Sequence, residues 1–400
     1  MNDLSIRGIG LLVTNRPELG TGLLGTVADA AVVIRDGRVV FAGPAEEAPD
    51  TGGEVLDAAG GCVLPGFVDA HTHVVFAGDR AGEFQARLRG ASYEELLAAG
   101  GGILSTVQAT REASEDQLLA GATARARRML ANGTTTVEVK SGYGLDLETE
   151  LRLLRVAGRL ATETGIDVVP TFLAHTIPSD RLADREAYVD EIVDSILPAC
   201  APHAAACDVF CDRGAFDLDE TRRILGAGRR LGLDLRLHAE QLARTGAAGL
   251  GAELGVRSVD HLDHATEADA EALARAGVAA VLLPGVSLQL RTPPPPARML
   301  WEAGVTVALA TDCNPGSSYL ETMPLVVALG CSLLGLTVEQ STWAATRGGA
   351  LALGIPDAGT LSPGAKADLV VLDAPGPAHL AYRPDSALVA VVVKAGRPIG

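Results

Sequence analysis

The chain has 400 residues, 48% of them apolar, with 46 glycines and a formal net charge of −17. That length suits an α/β barrel with an accessory domain, and the apolar content allows a large core. So acidic a chain lacks the clustered Lys and Arg that bind phosphate, which argues against a nucleic-acid partner and against an anionic membrane surface.

The opening MNDLSIRGIGLLVT has no basic segment followed by an apolar block and a cleavage site, and no run of about 18 apolar residues occurs anywhere. A cytoplasmic protein without membrane spans is therefore expected. Residues 29–43 read DAAVVIRDGRVVFAG, two β-rich runs joined by Asp36-Gly37, a two-residue hairpin signal. The same style returns at 367–373 (ADLVVLD), at 387–393 and at the turn Ala395-Gly396. Strand-rich ends without helices predict a small β-sandwich domain formed by both termini, over 1–59 and 359–400, around a central domain over 60–358.

In that central region helical patterns cover 92–99, 115–132, 147–164, 185–197, 219–231, 267–276 and 338–353. Short apolar runs alternate with them at 62–68, 134–139, 167–172, 208–210, 234–237, 258–259, 278–283 and 306–310. Near-continuously apolar strands are covered on both faces, as in a parallel sheet. Eight strand–helix units predict an α/β fold, a (β/α)8 TIM-like barrel. A doubly wound open sheet is the alternative, but no GxGxxG follows the first strand. The four prolines at 293–296 predict a stiff stretch in the loop after the seventh strand. The six cysteines, Cys62, Cys200, Cys207, Cys211, Cys313 and Cys331, show neither CxxC nor framework spacing, so free thiols are expected.

Polar residues stand just past most of these strands. His71, His73 and Arg80 follow the first, Lys140, Ser141 and Tyr143 the second, His175 the third. His238, Glu240 and Gln241 follow the fifth; Asp260, His261 and His264 end the sixth; Thr311, Asp312, Asn314, Gly316 and Ser317 follow the eighth. Six of the eight histidines lie in these positions, which a barrel would gather at one mouth. In an extended chain residues two apart share a side, so His71 and His73 can aim at one ion; alone, the pair also reads as two surface histidines at a strand end. With His238 and Asp312 they make a His3Asp set able to hold zinc or iron and leave room for a water. Taken singly, His238 also reads as a core histidine and Asp312 as a helix N-cap.

PGFVDAHTH after an apolar run, a later strand-end His and a late TD resemble the amidohydrolase superfamily, metal-dependent hydrolases of C–N bonds. The motifs HTHVVFAGDR, GGGILSTVQATR, TTTVEVKSGYGL, DVFCDRGAF, LHAEQL, VDHLDH, LLPG and LATDCNPGSS, spread over the whole chain, resemble more narrowly its imidazolonepropionase family. The resemblance implies opening of 4-imidazolone-5-propanoate to N-formimino-L-glutamate in histidine degradation, with one Zn2+ or Fe3+ per subunit and a homodimer. It places the metal on His71, His73, His238 and Asp312. It places the substrate against Arg80, Tyr143, His175, Gln241, Asn314, Gly316 and Ser317. A planar guanidinium such as Arg80 suits a carboxylate.

Two positions depart from the family pattern. Gln241 stands where the family often has Glu; an amide orients a ring nitrogen but accepts no proton at ordinary pH. The proton-transfer role therefore falls to His261, with Asp312 as partner. Leu173-Ala174-His175 is one residue shorter than the usual LGAH. Lys140 follows the second strand, whereas the metal-bridging lysine of some relatives follows the fourth, so a single metal is expected. The rival readings are another mononuclear amidohydrolase that deaminates or opens a heterocycle, and a catalytically inert barrel that serves as a scaffold.

Overall fold

Thr134–Lys140 reads TTTVEVK, and every residue in it is buried. Its polar side chains alternate with Val137 and Val139, which pack on Leu118, Met129, Leu153 and Leu160 of the covering helices. Glu138 and Lys140 therefore face the opposite way, into the interior of a closed sheet. In the computed structural model, which describes residues 3–50, 52–91 and 101–399, that sheet has eight strands.

The barrel strands are Phe67–Asp69, Thr134–Lys140, Asp167–Ala174, Ala206–Cys211, Asp234–Ala239, Ser258–His261, Ala279–Leu282 and Val307–Leu309. They pair in chain order, each parallel to the next. The gap between last and first is bridged beyond the strands. Thr72 and Cys313 form a parallel bridge, the His73 N–H donates to Cys313 O at 3.0 Å, and the Asp312 N–H donates to His71 O at 3.0 Å. The architecture is thus a (β/α)8 barrel with a separate sheet from the termini.

Local chemistry sets most helix limits. Helix Glu115–Ala131 opens on a reciprocal capping box between Ser114 and Gln117. Helix Leu147–Thr164 starts at an Asp146 cap and stops at Gly165, whose φ of 78° is left-handed. Burial of its Leu153, Leu154, Val156 and Leu160 contributes about 1.5–3 kcal/mol per side chain. The helices expected over 185–197 and 338–353 each contain a π-helical turn, Ile192–Ile196 and Ala344–Gly348. Residues 92–99, expected as a helix, lie outside the described residues.

The separate sheet runs Arg397–Ile399, Val389–Lys394, Leu369–Leu372, Cys62–Pro65, Leu4–Val13, Thr26–Arg35, Arg38–Pro44, with Glu54–Asp57 also beside Leu4–Val13. Asp36 and Gly37 both take positive φ, 47° and 74°, as the hairpin expected there requires. The strand expected over 62–68 divides. Cys62–Pro65 pairs with Leu369–Leu372 in the terminal sheet, and only Phe67–Asp69 enters the barrel. Gly66 marks the crossing, because a Cβ there would lie 2.3 Å from Thr135 Oγ1. Asp167, at the start of the third barrel strand, meets Lys366 and Lys394 of the terminal segment at 2.7 and 2.9 Å. Among the described residues no helix is long and apolar enough to cross a membrane.

Candidate active site

At the carboxyl end of the barrel five of the six expected histidines converge, His71, His73, His175, His238 and His261. The His71 ring centroid lies 5.3 Å from His73, 4.5 Å from His238 and 5.5 Å from His261. Asp312 Oδ1 is 3.5 Å from His71 Nε2 and 3.4 Å from His73 Nε2. Donor atoms of His71, His73 and Asp312 lie within 4.8 Å of one another, and so do those of His71, His238 and His261. His71 belongs to both groups and sits at their junction. Asp312 (φ 49°) and His261 (φ 76°) hold left-handed backbones that side chains rarely adopt. Such conformations cost roughly 1–3 kcal/mol each and concentrate at functional sites.

A cation fits this donor set. Among the described residues His71 Nε2 and His238 Nε2 are buried without a hydrogen-bond partner, a condition that costs about 1–3 kcal/mol per group unless something else satisfies it. Burial, helped by neighbouring cationic groups, pushes the His71, His73 and His261 imidazoles well below their ordinary pKa. Neutral rings keep the lone pair that a metal needs. Burial also raises the Asp312 carboxyl to about 7, with His238 and Asn314 pulling the other way.

The far nitrogens of two of these rings face carboxylates. Asp260 Oδ2 accepts from His71 Nδ1 at 2.6 Å, and Asp208 Oδ2 lies 3.1 Å from His238 Nδ1. A proton placed on Nδ1 leaves Nε2 free toward the centre. Sequence reading passed over Asp208 and took Asp260 only as a strand-end residue. The available signal was a charged residue inside an otherwise apolar strand, on the same inward parity as a histidine of the neighbouring strand.

A cavity of about 300 Å³ opens over the centre, and its walls include Arg80, Tyr143, His175, Gln241, Asn314, Gly316 and Ser317 together with His73, His238, His261 and Asp312. His175 reaches it despite the shortened motif. Its ring stacks on His73 at 5.5 Å and approaches Tyr143 at 5.5 Å, and burial lowers its pKa to about 3. Gly142, at φ 102°, leaves room for it. Burial raises the Tyr143 phenol above its usual range, keeping it protonated. Asn314 Oδ1 accepts the Gly316 and Ser317 N–H groups, both at 2.8 Å, which shapes the loop after the last strand. A Cβ on Gly316 would fall 2.1 Å from Arg80 Nη1, so a side chain there would push the guanidinium aside.

Other residues in the cavity wall or behind it carried no sequence signal. Glu83 grips Arg80, with Nε to Oε2 at 3.0 Å, and Arg87 donates to Gly316 O at 3.3 Å. Asp212 accepts the N–H groups of Gln241 and Leu242, both at 2.8 Å, and so presents Gln241 to the cavity. Glu240, His264 and Ser141 are among the strand-end residues that stand apart from it. Glu240 accepts from the N–H groups of Thr245, Gly246 and Ala248 at 2.8, 2.9 and 3.2 Å and ties down its own loop. His264 is exposed. Ser141 has a structural bond, its hydroxyl accepting the Leu173 N–H at 3.2 Å.

Known proteins resemble this chain over its whole length. The amidohydrolase family model matches residues 77–399. The imidazolonepropionase of Streptomyces griseus subsp. griseus is 48% identical over 401 residues, covering 100% of both chains. That of Salinispora arenicola is 50% identical over 401 residues, covering 100% of this chain and 99% of its own. Among solved structures, a triazine hydrolase from Arthobacter aurescens superposes with a TM-score of 0.76 at 18% identity, over 100% of this chain and 94% of its own. The chain belongs to the amidohydrolase family and, within it, to the imidazolonepropionases.

Proposed function

We propose that this protein is a metal-dependent hydrolase that opens 4-imidazolone-5-propanoate to N-formimino-L-glutamate, a step of histidine degradation. Its full-length relatives support the reaction, and the observation that carries the site is a guanidinium, Arg80, in the same cavity wall as the His/Asp cluster. His71, His73, His238 and Asp312 would hold one zinc or iron ion. Such an ion supplies Lewis acidity, which polarises a carbonyl and activates water at neutral pH.

The chain's own groups then divide the work. Arg80, held flat by Glu83, binds the propionate carboxylate. The Tyr143 hydroxyl and the His175 ring hydrogen-bond the ring and its carbonyl. Gln241 orients a ring nitrogen through its amide. The oxygen of water joins the carbonyl carbon, the bond from that carbon to the ring nitrogen breaks, and His261 with Asp312 carries the proton to the departing nitrogen. Six free cysteines, five of them buried, suit the reducing cytoplasm, and a homodimer is the assembly we infer from family resemblance.

A deaminase of uncharged heterocycles would share all four ligands, and Arg80 argues for a carboxylate-bearing substrate instead. The test is an assay of imidazolone propanoate beside cytosine, guanine and hydantoins, with metal content measured on the same sample. Turnover of a purine or pyrimidine alone would overturn the assignment, and a metal-free, inert protein would favour a scaffold.

A further inference from the structure

We propose that Lys140 is a positioning residue of the metal centre, one ammonium that aims two ligand histidines from beneath; this rests on the reading of His71, His73, His238 and Asp312 as metal ligands. Lys140 ends the second barrel strand and is fully buried. Its Nζ lies 2.6 Å from Asp208 Oδ2, 2.8 Å from Glu138 Oε2 and 3.3 Å from Asp260 Oδ2. The first and last of those oxygens are the same atoms that face His238 Nδ1 at 3.1 Å and His71 Nδ1 at 2.6 Å. One cation thus contacts both carboxylates that stand behind two imidazoles arriving from different strands, one hydrogen-bonded to His71 and the other within ion-pair reach of His238.

The surroundings hold Lys140 in that place. Glu138 is pinned by the Thr171 hydroxyl at 2.6 Å and by Arg236 Nε at 3.0 Å. Ser258 donates to the other oxygen of Asp260 at 2.8 Å. Burial alone would lower the lysine pKa, but Asp208, Glu138 and Asp260 together hold it above the usual range. Without the ammonium, Asp208 and Asp260 would repel each other across the barrel, since ligand oxygens of the two lie within 4.8 Å. Each would then be free to turn from its histidine. Carboxylates in this relation to metal-bound histidines tune affinity by orienting the ring and fixing its proton.

Three variants of the full-length protein test the idea. Lys140→Met/Glu138→Gln removes one charge of each sign, so the barrel interior keeps its balance; Asp208→Asn and Asp260→Asn break the chain one link further on. After chelation, each is titrated with Co2+, reading affinity, the visible absorption of the bound ion, and thermal unfolding of the metal-free protein. The expected result is a folded double variant that binds Co2+ about 10- to 100-fold more weakly, with a shifted absorption band. The two Asn variants should weaken binding in the same direction, and they decide the matter should the double variant not fold. Wild-type affinity and spectrum in the folded double variant would overturn the role of Lys140, whatever the Asn variants show, while leaving the metal reading intact. If the unaltered protein takes up no Co2+, or His71→Ala takes it up as tightly, the metal reading fails and this proposal with it.

Discussion

Thr311 donates to the Asp69 carboxylate twice, from its hydroxyl at 2.6 Å and from its backbone N–H at 3.0 Å. The two residues are 242 positions apart and sit where the last barrel strand meets the first. Both are fully buried, so neither donor can turn to water. The bond closes the barrel directly beneath His71 and Asp312.

Truncating Asp69 should therefore loosen the barrel. Asp69→Ala leaves two buried donors unpaired and is expected to lower stability by about 2–4 kcal/mol. Chemical denaturation followed by far-UV circular dichroism reads this as a lower midpoint. An unchanged midpoint would mean that the seam is held by the backbone bridge at Thr72 and Cys313 alone.

Arg80→Ala should cost about 2–5 kcal/mol in kcat/KM, because the substrate carboxylate loses its partner and Glu83 is left facing the cavity. Glu83→Gln is expected to raise KM with a smaller effect on kcat, since it frees the guanidinium without removing it. Steady-state kinetics on both variants checks this, and unaltered kinetics in Arg80→Ala would take that residue out of the site.

For His261→Ala the expected loss is about 10²- to 10⁴-fold in kcat with metal content retained. Elemental analysis and turnover measured on one preparation separate the two effects. Loss of the metal along with the activity would make His261 a ligand, which its place in a donor group with His71 and His238 allows.

The contact between barrel and terminal sheet should be pH-dependent. Burial tends to raise the Asp167 pKa, but Lys366 and Lys394 outweigh it and hold the carboxyl below its ordinary value. A depressed folded-state pKa contributes stability above the unfolded value of about 4, lost as the pH falls through the folded one. Asp167 is partly solvated, so the contribution is on the order of 1 kcal/mol. Asp167→Asn should thus be less stable than the unaltered protein at pH 7, with the gap closing below about pH 4. A gap that does not narrow at all as the pH falls below about 4 would assign the effect to shape instead of charge.

Much of this molecule was legible along the chain because its signals are local. Helices Leu147–Thr164 and Glu267–Ala276 keep the limits of their sequence patterns, each opened by a side-chain cap and closed by a left-handed glycine. Asp36-Gly37 makes its hairpin for a reason contained in two residues. The spacing of His71 and His73 places both rings on one side, and the polar residues past successive strands had to meet once the strands were parallel.

What only the folded chain decided are pairings between residues far apart. His71 meets Asp260 across 189 positions and Lys140 meets Asp208 across 68, distances over which no periodicity carries information. The division of 62–68 at Gly66 likewise depends on where Thr135 stands. A buried charge must find an opposite one, so the sequence announces that a partner exists, and the packing of eight strands chooses which.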